Sequence, residues 1–506
     1  MKERIRVRVR KAKRRLARRL DAKRRKHNTD KPVISSKRIE YDFADRTRAI
    51  AYGGIGAMHQ VAVKSGLVKS LDAHVDVLCY ERPYHESDHI LTHAYNIACG
   101  GTAIEHIDHL RQDLVLLDAL GAQCLPAPTT AGDFCRRFEL DDIDQMQTAI
   151  NLARLNVWNK QPHSFFDIAR IDVDGSIVET SGRCKEGMGL SFKGKWGYYP
   201  HLVTLANTKE PLWLVNQPGN DNSVIAAGDA LDNMAAFCRR AGFRDILMRG
   251  DTAFSFTSRL DSWDDQGYRF IFGYKGHDTL VGKAGEVAKE LQEELVRQAK
   301  HVCEPDKERA KQPRVKRRIV QEKGYKNLVL ESEHVGEFDY QPSACERAYR
   351  VVFVLKEIRV ERRGKEIGRE KRYLFYITND RKLKAKQVVF EANLRCDQEN
   401  IIKHLKGLKA LKAPVNTLLS NWAYMVMASL AWTLKAWMAL LLPVCPRWRT
   451  RHQRQKRRWL RMDFATFRAG VLKVPTQIVR HARRTLFRFL GWRPELTGLM
   501  RLLDGL

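Results

Sequence analysis

Residues 170–176 read Arg-Ile-Asp-Val-Asp-Gly-Ser, and this stretch sets the fold prediction. The apolar residues from Ile168 to Val173 predict a buried strand. The period of two in a strand puts Asp172 and Asp174 on the same face, with Val173 on the other. Acids at the end of a strand, at the edge of a sheet, are well placed to hold a metal ion. The stretch therefore predicts both a core strand and a candidate site.

The segments that follow give the order of the remaining elements. Further strands are predicted at Leu202 to Ala206, Leu212 to Val215, Asp245 to Met248 and Tyr268 to Tyr274, with helices at Asn222 to Arg240 and Ser258 to Gln266. Three strands, a helix, a strand, a helix and a strand is the order of a ribonuclease-H-like α/β domain. The sequence thus predicts an α/β multidomain protein with a core of this kind.

The chain carries a large positive charge. Among 506 residues, 90 are Lys or Arg and 59 are Asp or Glu, which gives a formal charge of +31. This imbalance points to a polyanionic partner, and nucleic acid is favoured over an anionic membrane. Residues 1–26 hold fifteen of the cations and are expected to be disordered until they meet an anion; a solubilising tail is the alternative. Beyond Pro443, cations alternate with Trp448 and Trp459, as on a nucleic-acid surface.

These composition changes divide the chain. The predicted units are a basic N-terminal arm at 1–50, a helical DNA-binding or oligomerisation domain at 51–160, the α/β catalytic core at 161–274 and 372–443, a β-rich insertion at 275–371 and a basic C-terminal region at 444–506. Within the last unit, short strands are predicted at Val471 to Val474, Gln477 to Arg480 and Thr485 to Leu490. No phosphate-binding glycine loop, nucleophile elbow or zinc-protease motif is present.

The sequence gives little support for a membrane span or for an oxidising compartment. The uncharged run from Thr417 to Leu434 is long enough to raise the question of a membrane span. Its polar residues favour a core helix instead, and Lys435 is expected to close it. No apolar segment follows the N-terminal charges, so no signal peptide is expected. Ten cysteines without a CxxC pair predict reduced, mostly buried thiols in a cytoplasmic protein.

Two more acids extend the candidate site. Asp251 follows a predicted strand, and Gly250 allows a tight turn that aims it out of the sheet. Glu399 lies in the stretch Leu394 to Lys406, which is interpreted as one helix. Carboxylates alone suit Mg²⁺ or Mn²⁺, and two such ions support phosphoryl transfer by in-line displacement. Taken singly, an acid after a strand is more often a turn residue or helix cap, and a charged helix face is more often solvated.

These residues resemble the DDE transposases of bacterial insertion sequences, specifically the insertion sequence 1380 family. The resemblance runs from about Gly100 to Arg484. Its matching parts are Gly100-Gly101, the Asp113 region, the Asp174-Gly-Ser turn, Arg249-Gly250-Asp251, Ile377-Thr378-Asn379 and Arg395-x3-Glu399-x6-Lys406. The last spacing is the most specific part, since it matches the tail of a Tyr-x2-Arg-x3-Glu-x6-Lys signature. The signature's tyrosine falls on Ala392, which departs from the family pattern.

The resemblance implies roles for particular residues. Asp174, Asp251 and Glu399 would be the metal-binding catalytic residues, whereas Arg395 and Lys406 would contact transposon-end DNA. Asp172 is the alternative first acid; Asp174 is preferred because a small residue and a hydroxyl follow it.

The implied function is recognition of the terminal inverted repeats of an insertion sequence, cleavage of the ends and joining of 3′-hydroxyls to target DNA. The implied cofactor is Mg²⁺ or Mn²⁺, as two ions. The implied partners are double-stranded DNA, as transposon ends and as target, and a second copy of the chain in a synaptic homodimer, with no membrane partner. The expected location is the bacterial cytoplasm, at the nucleoid. A DNA-binding protein without catalysis and a stand-alone metal-dependent nuclease are the alternatives.

Overall fold

The computed structural model describes residues 3–25, 47–79, 83–182, 184–288, 323, 325–363, 365–481 and 484–506. The helices are α1 (Glu3–Arg25), α2 (Ile55–Lys64), α3 (Leu67–His74), α4 (Glu86–Cys99), α5 (Ile107–Arg111), α6 (Leu114–Leu120), α7 (Pro128–Cys135), α8 (Leu140–Trp158), α9 (Ile225–Arg240), α10 (Leu260–Asp265), α11 (Asp278–Ala288), α12 (Ala385–Leu394), α13 (Cys396–Gly407), α14 (Leu418–Leu440), α15 (Arg449–Arg461), α16 (Phe464–Phe467) and α17 (Leu496–Gly505). The strands are β1 (Ala49–Ile50), β2 (Ile168–Gly175), β3 (Val178–Glu179), β4 (Gly189–Leu190), β5 (Trp196–Tyr198), β6 (His201–Leu205), β7 (Glu210–Val215), β8 (Asp245–Gly250), β9 (Arg269–Tyr274), β10 (Lys326–Tyr340), β11 (Tyr349–Arg362), β12 (Lys365–Thr378), β13 (Thr476–His481) and β14 (Arg484–Phe489).

An eight-stranded sheet forms the centre of the protein, in the order β10-β11-β12-β9-β8-β2-β6-β7. Strand β2 runs parallel to β8, and β8 runs parallel to β9. On the other side of β2, strand β6 pairs antiparallel with β2, and β7 pairs antiparallel with β6. The carboxyl ends of β2, β8 and β9 therefore meet at one edge. The predicted order of strands and helices from residue 168 to 274 is confirmed, and so is the mixed α/β fold.

The alternation along β2 separates two environments. Ile171 and Val173 are fully buried in the main hydrophobic core, together with apolar residues of α9 such as Leu231. Asp172 and Asp174 lie on the opposite face, as the period of two predicts. Helices α12 and α13 cover that face. One side of the strand thus anchors the core, and the other presents acids to the site helices.

The predicted β-rich insertion adds its strands to the same sheet. Strand β12 pairs with β9 only from Phe375 to Thr378, whereas it pairs with β11 along nearly its whole length. Within the insertion the sequence predicts two strands, Tyr349 to Leu355 and Glu357 to Arg362, and the structure has the single strand β11 there. The sequence also predicts a helix at Lys283 to Lys300; it corresponds to α11 as far as residue 288, and its remainder lies outside the described residues. The domain boundaries stay predictions.

Helix α14 is the main helix of the interior. It is long and apolar enough to cross a membrane, yet its apolar window is entirely buried within the protein. It packs against α2, α4 and α8 on one side and β7 on another, which confirms the predicted core position. The predicted end at Lys435 is wrong, because the helix continues to Leu440. The buried Lys435 ammonium lies 4.1 Å from the centroid of the Trp432 ring and donates to the Leu460 carbonyl over 2.9 Å.

A fully buried carboxylate, Glu210 of β7, joins three of these elements. Arg154 and Trp158 of α8 donate to it over 3.1 and 3.2 Å. Trp437 of α14 donates to it over 2.8 Å. A buried charge is stable only when it is paired and hydrogen-bonded. This Glu210 node therefore fixes the helical N-terminal region and α14 to the edge of the central sheet.

Three local predictions are wrong. The basic N-terminal segment, expected to be disordered, forms α1, whose Arg, Lys, Ala and Leu residues are good helix formers. The strand predicted at Val471 to Val474 is instead largely a π-helical turn, Arg468–Leu472. Among the nine described cysteines five are exposed and four buried, all with free thiols, so the expected burial of most thiols does not hold.

Candidate active site

Two predicted acids lie side by side at the carboxyl ends of neighbouring strands. Asp174 is the penultimate residue of β2, and Asp251 directly follows β8. The parallel register pairs Val173 with Gly250, which brings the two following acids to the same edge of the sheet. Asp251 also caps a short helical turn, because its carboxylate accepts from the Ala253 amide over 2.9 Å. The tight turn predicted after Gly250 is therefore present.

The third acid, Glu399, comes from the first turn of α13. The predicted single helix from Leu394 to Lys406 is interrupted, because α12 ends at Leu394 and α13 begins at Cys396. Arg395 is the only residue between them. Arg395 keeps helical backbone angles, φ −57° and ψ −24°, and its side chain reaches the end of β2.

Arg395 bridges two of the acids. Its Nη1 atom lies 3.2 Å from Asp174 Oδ2, and its Nη2 atom lies 3.8 Å from Glu399 Oε1. The Asp174 side chain is 12% exposed, whereas that of Glu399 is 62% exposed. The guanidinium thus occupies the space between a buried carboxylate and a solvent-facing one.

The surroundings of Asp174 shift its pKa. Burial raises the pKa of Asp174 to about 6; Arg395 opposes that shift, while Asp251 and Glu399 add to it. The Gly175 amide donates to Asp174 Oδ1 over 2.8 Å and favours the charged form. A carboxylate under this repulsion is stabilised by any cation that approaches it.

The donor chemistry suits a divalent cation such as Mg²⁺, which prefers carboxylate oxygens. Within the described residues, no group of three acids, histidines or cysteines is already arranged as a metal cluster. Arg395 lies between Asp174 and Glu399, so these two carboxylates face a guanidinium in this structure.

Asp172, the alternative first acid, has a different environment. Its two oxygens accept from Arg249 Nε over 2.7 Å and Arg249 Nη2 over 3.0 Å, and both side chains are 1% exposed. Arg249 also contacts Glu391 of α12 at 3.2 Å, and Glu391 pairs with Arg170 at 3.1 Å. Asp172 is fully engaged in this network, which holds α12 against β2 and β8. Sequence reasoning missed Glu391, because nothing in its helix distinguishes it from a solvated acid.

Gln398 is a second residue that sequence reasoning missed. It is fully buried beside the exposed Glu399. Its amide donates to the Leu202 carbonyl over 3.1 Å and accepts from the Thr204 hydroxyl. Both partners belong to β6, so Gln398 fixes the first turn of α13 on the sheet and thereby positions Glu399.

Lys406 lies at the far end of α13, half-buried. Its ammonium donates to the Ile177 carbonyl over 2.5 Å, in the turn that follows β2. Burial lowers its pKa, and the nearby Lys193 and Lys195 lower it further. Lys406 is therefore part of a local cationic group next to the site, and its contact with DNA stays a prediction.

A pocket of about 320 Å³ opens beside Asp251 and Arg395. Ala392, the position of the missing signature tyrosine, lines it. Aromatic residues of the sheet supply the opposite wall: Tyr274, Tyr373, Phe375 and Tyr376. The departure from the family pattern thus leaves open space beside the site, bounded by aromatic rings from β9 and β12.

The basic C-terminal region matches its predicted composition but not its predicted surface. Trp459 is fully buried and donates to Glu495 over 2.8 Å, so it cannot stack on a nucleic acid. Trp448 is 50% exposed and lies against Arg447. Trp448 therefore presents an aromatic ring together with a cation, and so does Trp492, whose ring lies 5.4 Å from the Lys13 ammonium.

Two carboxylates at the carboxyl ends of parallel strands, with Arg395 between Asp174 and Glu399, give this α/β protein an acidic candidate site at one edge of its sheet. The chain belongs to the family described as transposase DDE domain group 1, which matches residues 31–506. The chain is thus a DDE transposase by family, as the resemblance indicated.

A solved structure, the cryo-EM structure of the piggyBac transposase synaptic complex with hairpin DNA, is similar over 83% of this chain and 82% of that chain, at 10% sequence identity and a TM-score of 0.34. A likeness at this level carries no weight for function. No curated protein matches the sequence.

Proposed function

We propose that this chain is a metal-dependent DNA transposase that cleaves transposon ends and joins their 3′-hydroxyls to target DNA. One observation carries the proposal: Asp174 and Asp251 lie at the carboxyl ends of adjacent parallel strands, and Arg395 links Asp174 to Glu399 of α13. The strand order, with only the neighbouring strand β6 antiparallel to β2 and with β7, β8 and β9 parallel to it, supports a ribonuclease-H-like core.

In this proposal the three carboxylates hold Mg²⁺ or Mn²⁺, as two ions. When bound, the metal activates a water or a 3′-hydroxyl and stabilises the leaving oxygen of an in-line displacement. Gln398 keeps Glu399 over the sheet, and the network of Asp172, Arg249 and Glu391 supports the strand that carries Asp174. Arg395 leaves the acids for the DNA phosphate as the site fills, so that it exchanges one anion for another.

The proposed partners are inferred from the positive charge of the chain. A formal charge of +31 and the basic helices α1 and α15 support double-stranded DNA, both as inverted-repeat ends and as target. Lys406 contributes to the same surface beside the site. Synapsis of two ends would use a homodimer. Membership of the insertion sequence 1380 family, a bacterial source and a location at the nucleoid belong to the same proposal.

A protein that binds DNA without cutting it is the second candidate. The position of Arg395 between Asp174 and Glu399 favours it, because a fixed guanidinium there would exclude the metal. The two candidates differ in whether Arg395 moves when metal and DNA are added.

Cleavage of end-containing DNA by the full-length protein in Mg²⁺ or Mn²⁺ tests the proposal. We expect cutting by the wild type and none by Asp251→Ala or Glu399→Ala, with DNA binding retained in both. Glu286→Ala, which removes an exposed acid on α11, is the matched control and should cut normally. Cleavage that survives either acid substitution would refute the site, and binding without cutting across metals and ends would favour the second candidate.

A further inference from the structure

A short hairpin lies beyond the carboxyl end of β2. It consists of β4, β5 and the turn between them, residues 189–198. Strand β3 starts four residues after Asp174 and pairs with β5, which pairs with β4 on its other side. Strand β5 in turn leads into β6, whose His201 pairs with Gly175 at the end of β2. This β4–β5 hairpin therefore stands at the sheet edge that carries the candidate site.

The base of the β4–β5 hairpin is fixed by close backbone packing. A Cβ atom on Gly197 would lie 2.0 Å from the Val178 carbonyl oxygen, and one on Gly189 would lie 1.8 Å from Asn220 Oδ1. Glycine at these two positions lets the neighbouring segments approach so closely. The Gly219 amide also donates to the Gly197 carbonyl over 2.9 Å. The hairpin is thus anchored on both sides of its base.

The turn at the tip is fixed as well. Ser191 is buried, its amide donates to the Lys195 carbonyl over 2.8 Å, and its hydroxyl accepts from the Lys195 amide over 3.1 Å. Gly194 takes the left-handed conformation that closes the turn, with φ +69°. The side chains of the tip are therefore presented on an ordered backbone.

The tip carries large apolar side chains in solvent. Phe192 is 69% exposed and Trp196 is 52% exposed. Trp196 pairs across the strands with Leu190, which is also exposed, so these two side chains share one face. The Lys193 ammonium lies 5.2 Å from the centroid of the Phe192 ring. Exposed apolar groups clustered on an ordered protrusion and rimmed by charge mark an interaction surface.

The charge at the tip selects the kind of partner. Lys193 and Lys195 are both exposed, and Lys195 pairs with the exposed Glu179 at 2.7 Å. Lys406 lies close to both lysines, because each of them lowers its pKa. The same surface on a second copy of the chain would bring like charges together, whereas nucleic acid neutralises them. A two-stranded ribbon also has the width that the major groove of DNA admits.

The chain length limits how far the tip lies from the site. The Thr180 amide donates to the Trp196 carbonyl over 3.0 Å, and Thr180 is six residues beyond Asp174. Since an extended chain spans at most about 3.6 Å per residue, Trp196 lies within about 25 Å of Asp174. DNA advances about 3.4 Å per nucleotide, so this distance covers about seven nucleotides.

We propose that the β4–β5 hairpin binds the DNA duplex beside the cleavage point, with Phe192 and Trp196 against base edges in the major groove and Lys193 and Lys195 on backbone phosphates. This inference rests on the proposed function. The contact is non-covalent: it buries the two rings, and Lys195 exchanges the Glu179 carboxylate for a phosphate. The hairpin holds the DNA in register while the acids at the end of β2 act on the scissile phosphate.

The test measures the affinity of the full-length protein for end-containing DNA across a salt series. Phe192→Ala with Trp196→Ala should bind about 10- to 100-fold more weakly, with an unchanged salt slope, because only apolar contacts are lost. Lys193→Gln should flatten the plot of log affinity against log salt by about 0.9, which is the loss of one phosphate contact. Both variants should keep the wild-type melting temperature, since the replaced side chains are exposed.

The hairpin between β11 and β12 supplies the matched control. Its exposed Ile367 and Lys365 lie ten residues along β12 from Phe375, where that strand joins β9. Ile367→Ala with Lys365→Gln removes the same kinds of group and should leave the affinity within about twofold of wild type. In hydroxyl-radical footprints, the wild type should protect the backbone within about seven nucleotides of the cleavage point, and the aromatic variant should lose that protection.

Three results would overturn the inference. The first is an affinity of the aromatic variant within about twofold of wild type, and the second is an equal loss in the control, which would reflect general surface charge. The third is the loss of a dimer in sizing experiments at unchanged DNA affinity, because the hairpin would then bind a second copy. A wild type that binds end-containing DNA without cutting it refutes the proposed function and still allows the hairpin contact to be measured.

Discussion

Replacing Asp172 by Asn should unfold the protein more easily without removing a metal ligand. The substitution keeps the shape of the side chain and removes one charge of a buried pair. Arg249 would then hold an uncompensated guanidinium that is 1% exposed. Breaking a buried ion pair in this way costs about 3–5 kcal/mol. Because Glu391 still contacts Arg249 at 3.2 Å, we expect the lower end, about 3 kcal/mol.

That loss is large beside the total stability of a folded protein, about 5–15 kcal/mol. Urea unfolding followed by tryptophan fluorescence measures it. The double variant Asp172→Asn with Arg249→Met removes the orphaned charge and should recover a large part of the loss. Below the unfolding transition, Asp172→Asn should still cleave DNA in Mg²⁺. Asp172→Asn that is as stable as wild type but inactive would refute the reasoning, because Asp172 would then be a ligand and not a support.

Two buried ionisable groups and the basic arm give three further expected outcomes. Asp174→Asn should abolish cleavage yet raise the unfolding free energy at pH 8 by about 3 kcal/mol, since burial raises the pKa of that carboxyl from 3.8 to about 6 and each pKa unit is worth about 1.4 kcal/mol. The raised pKa destabilises the native state at pH values above it, so the gain should disappear in urea titrations as the pH falls from 6 toward 4. The unfolding free energy of the wild type should rise by about 2 kcal/mol between pH 7 and 9 relative to that of Lys435→Met. Burial lowers the pKa of Lys435 to about 7, so the folded state loses that proton at a lower pH than the unfolded state does. Parallel curves of stability against pH for the two proteins would contradict this. Deletion of residues 1–30 should flatten the plot of log DNA affinity against log salt by about 0.9 for each DNA phosphate that the arm neutralises, and an unchanged slope in gel-shift titrations would remove the arm from the DNA interface.

The strand order could be read from the sequence because burial and alternation are local signals. Apolar runs bounded by Gly and Pro located β2, β6, β7, β8 and β9 to within about two residues. The acids at strand ends followed directly, since parallel strands bring their carboxyl ends to one edge. These predictions needed no knowledge of which distant residues meet.

The residues that hold the site helices on the sheet could not be predicted in the same way. Gln398 and Glu391 look like ordinary helical surface residues, and only the docking of α12 and α13 on the sheet shows that they hold β6 and Arg249. The break at Arg395 also has no breaker residue, because it comes from tertiary contacts and not from Gly or Pro. The end of α14 was predicted wrongly at Lys435, because a lone charge normally ends an apolar run. Here the Trp432 ring and the Leu460 carbonyl stabilise the Lys435 ammonium inside the core.

The Glu210 node sets a limit on how the chain can be divided. The sequence predicts a separate helical domain at residues 51–160, yet Arg154 and Trp158 find their acceptor on β7, and β7 shares it with α14. A fragment that stops at residue 160 would leave Arg154 without its acceptor, and a fragment that starts there would leave Glu210 without its counter-charge. Truncations meant to isolate DNA binding from catalysis should therefore keep residues 51–443 together and remove only the basic ends.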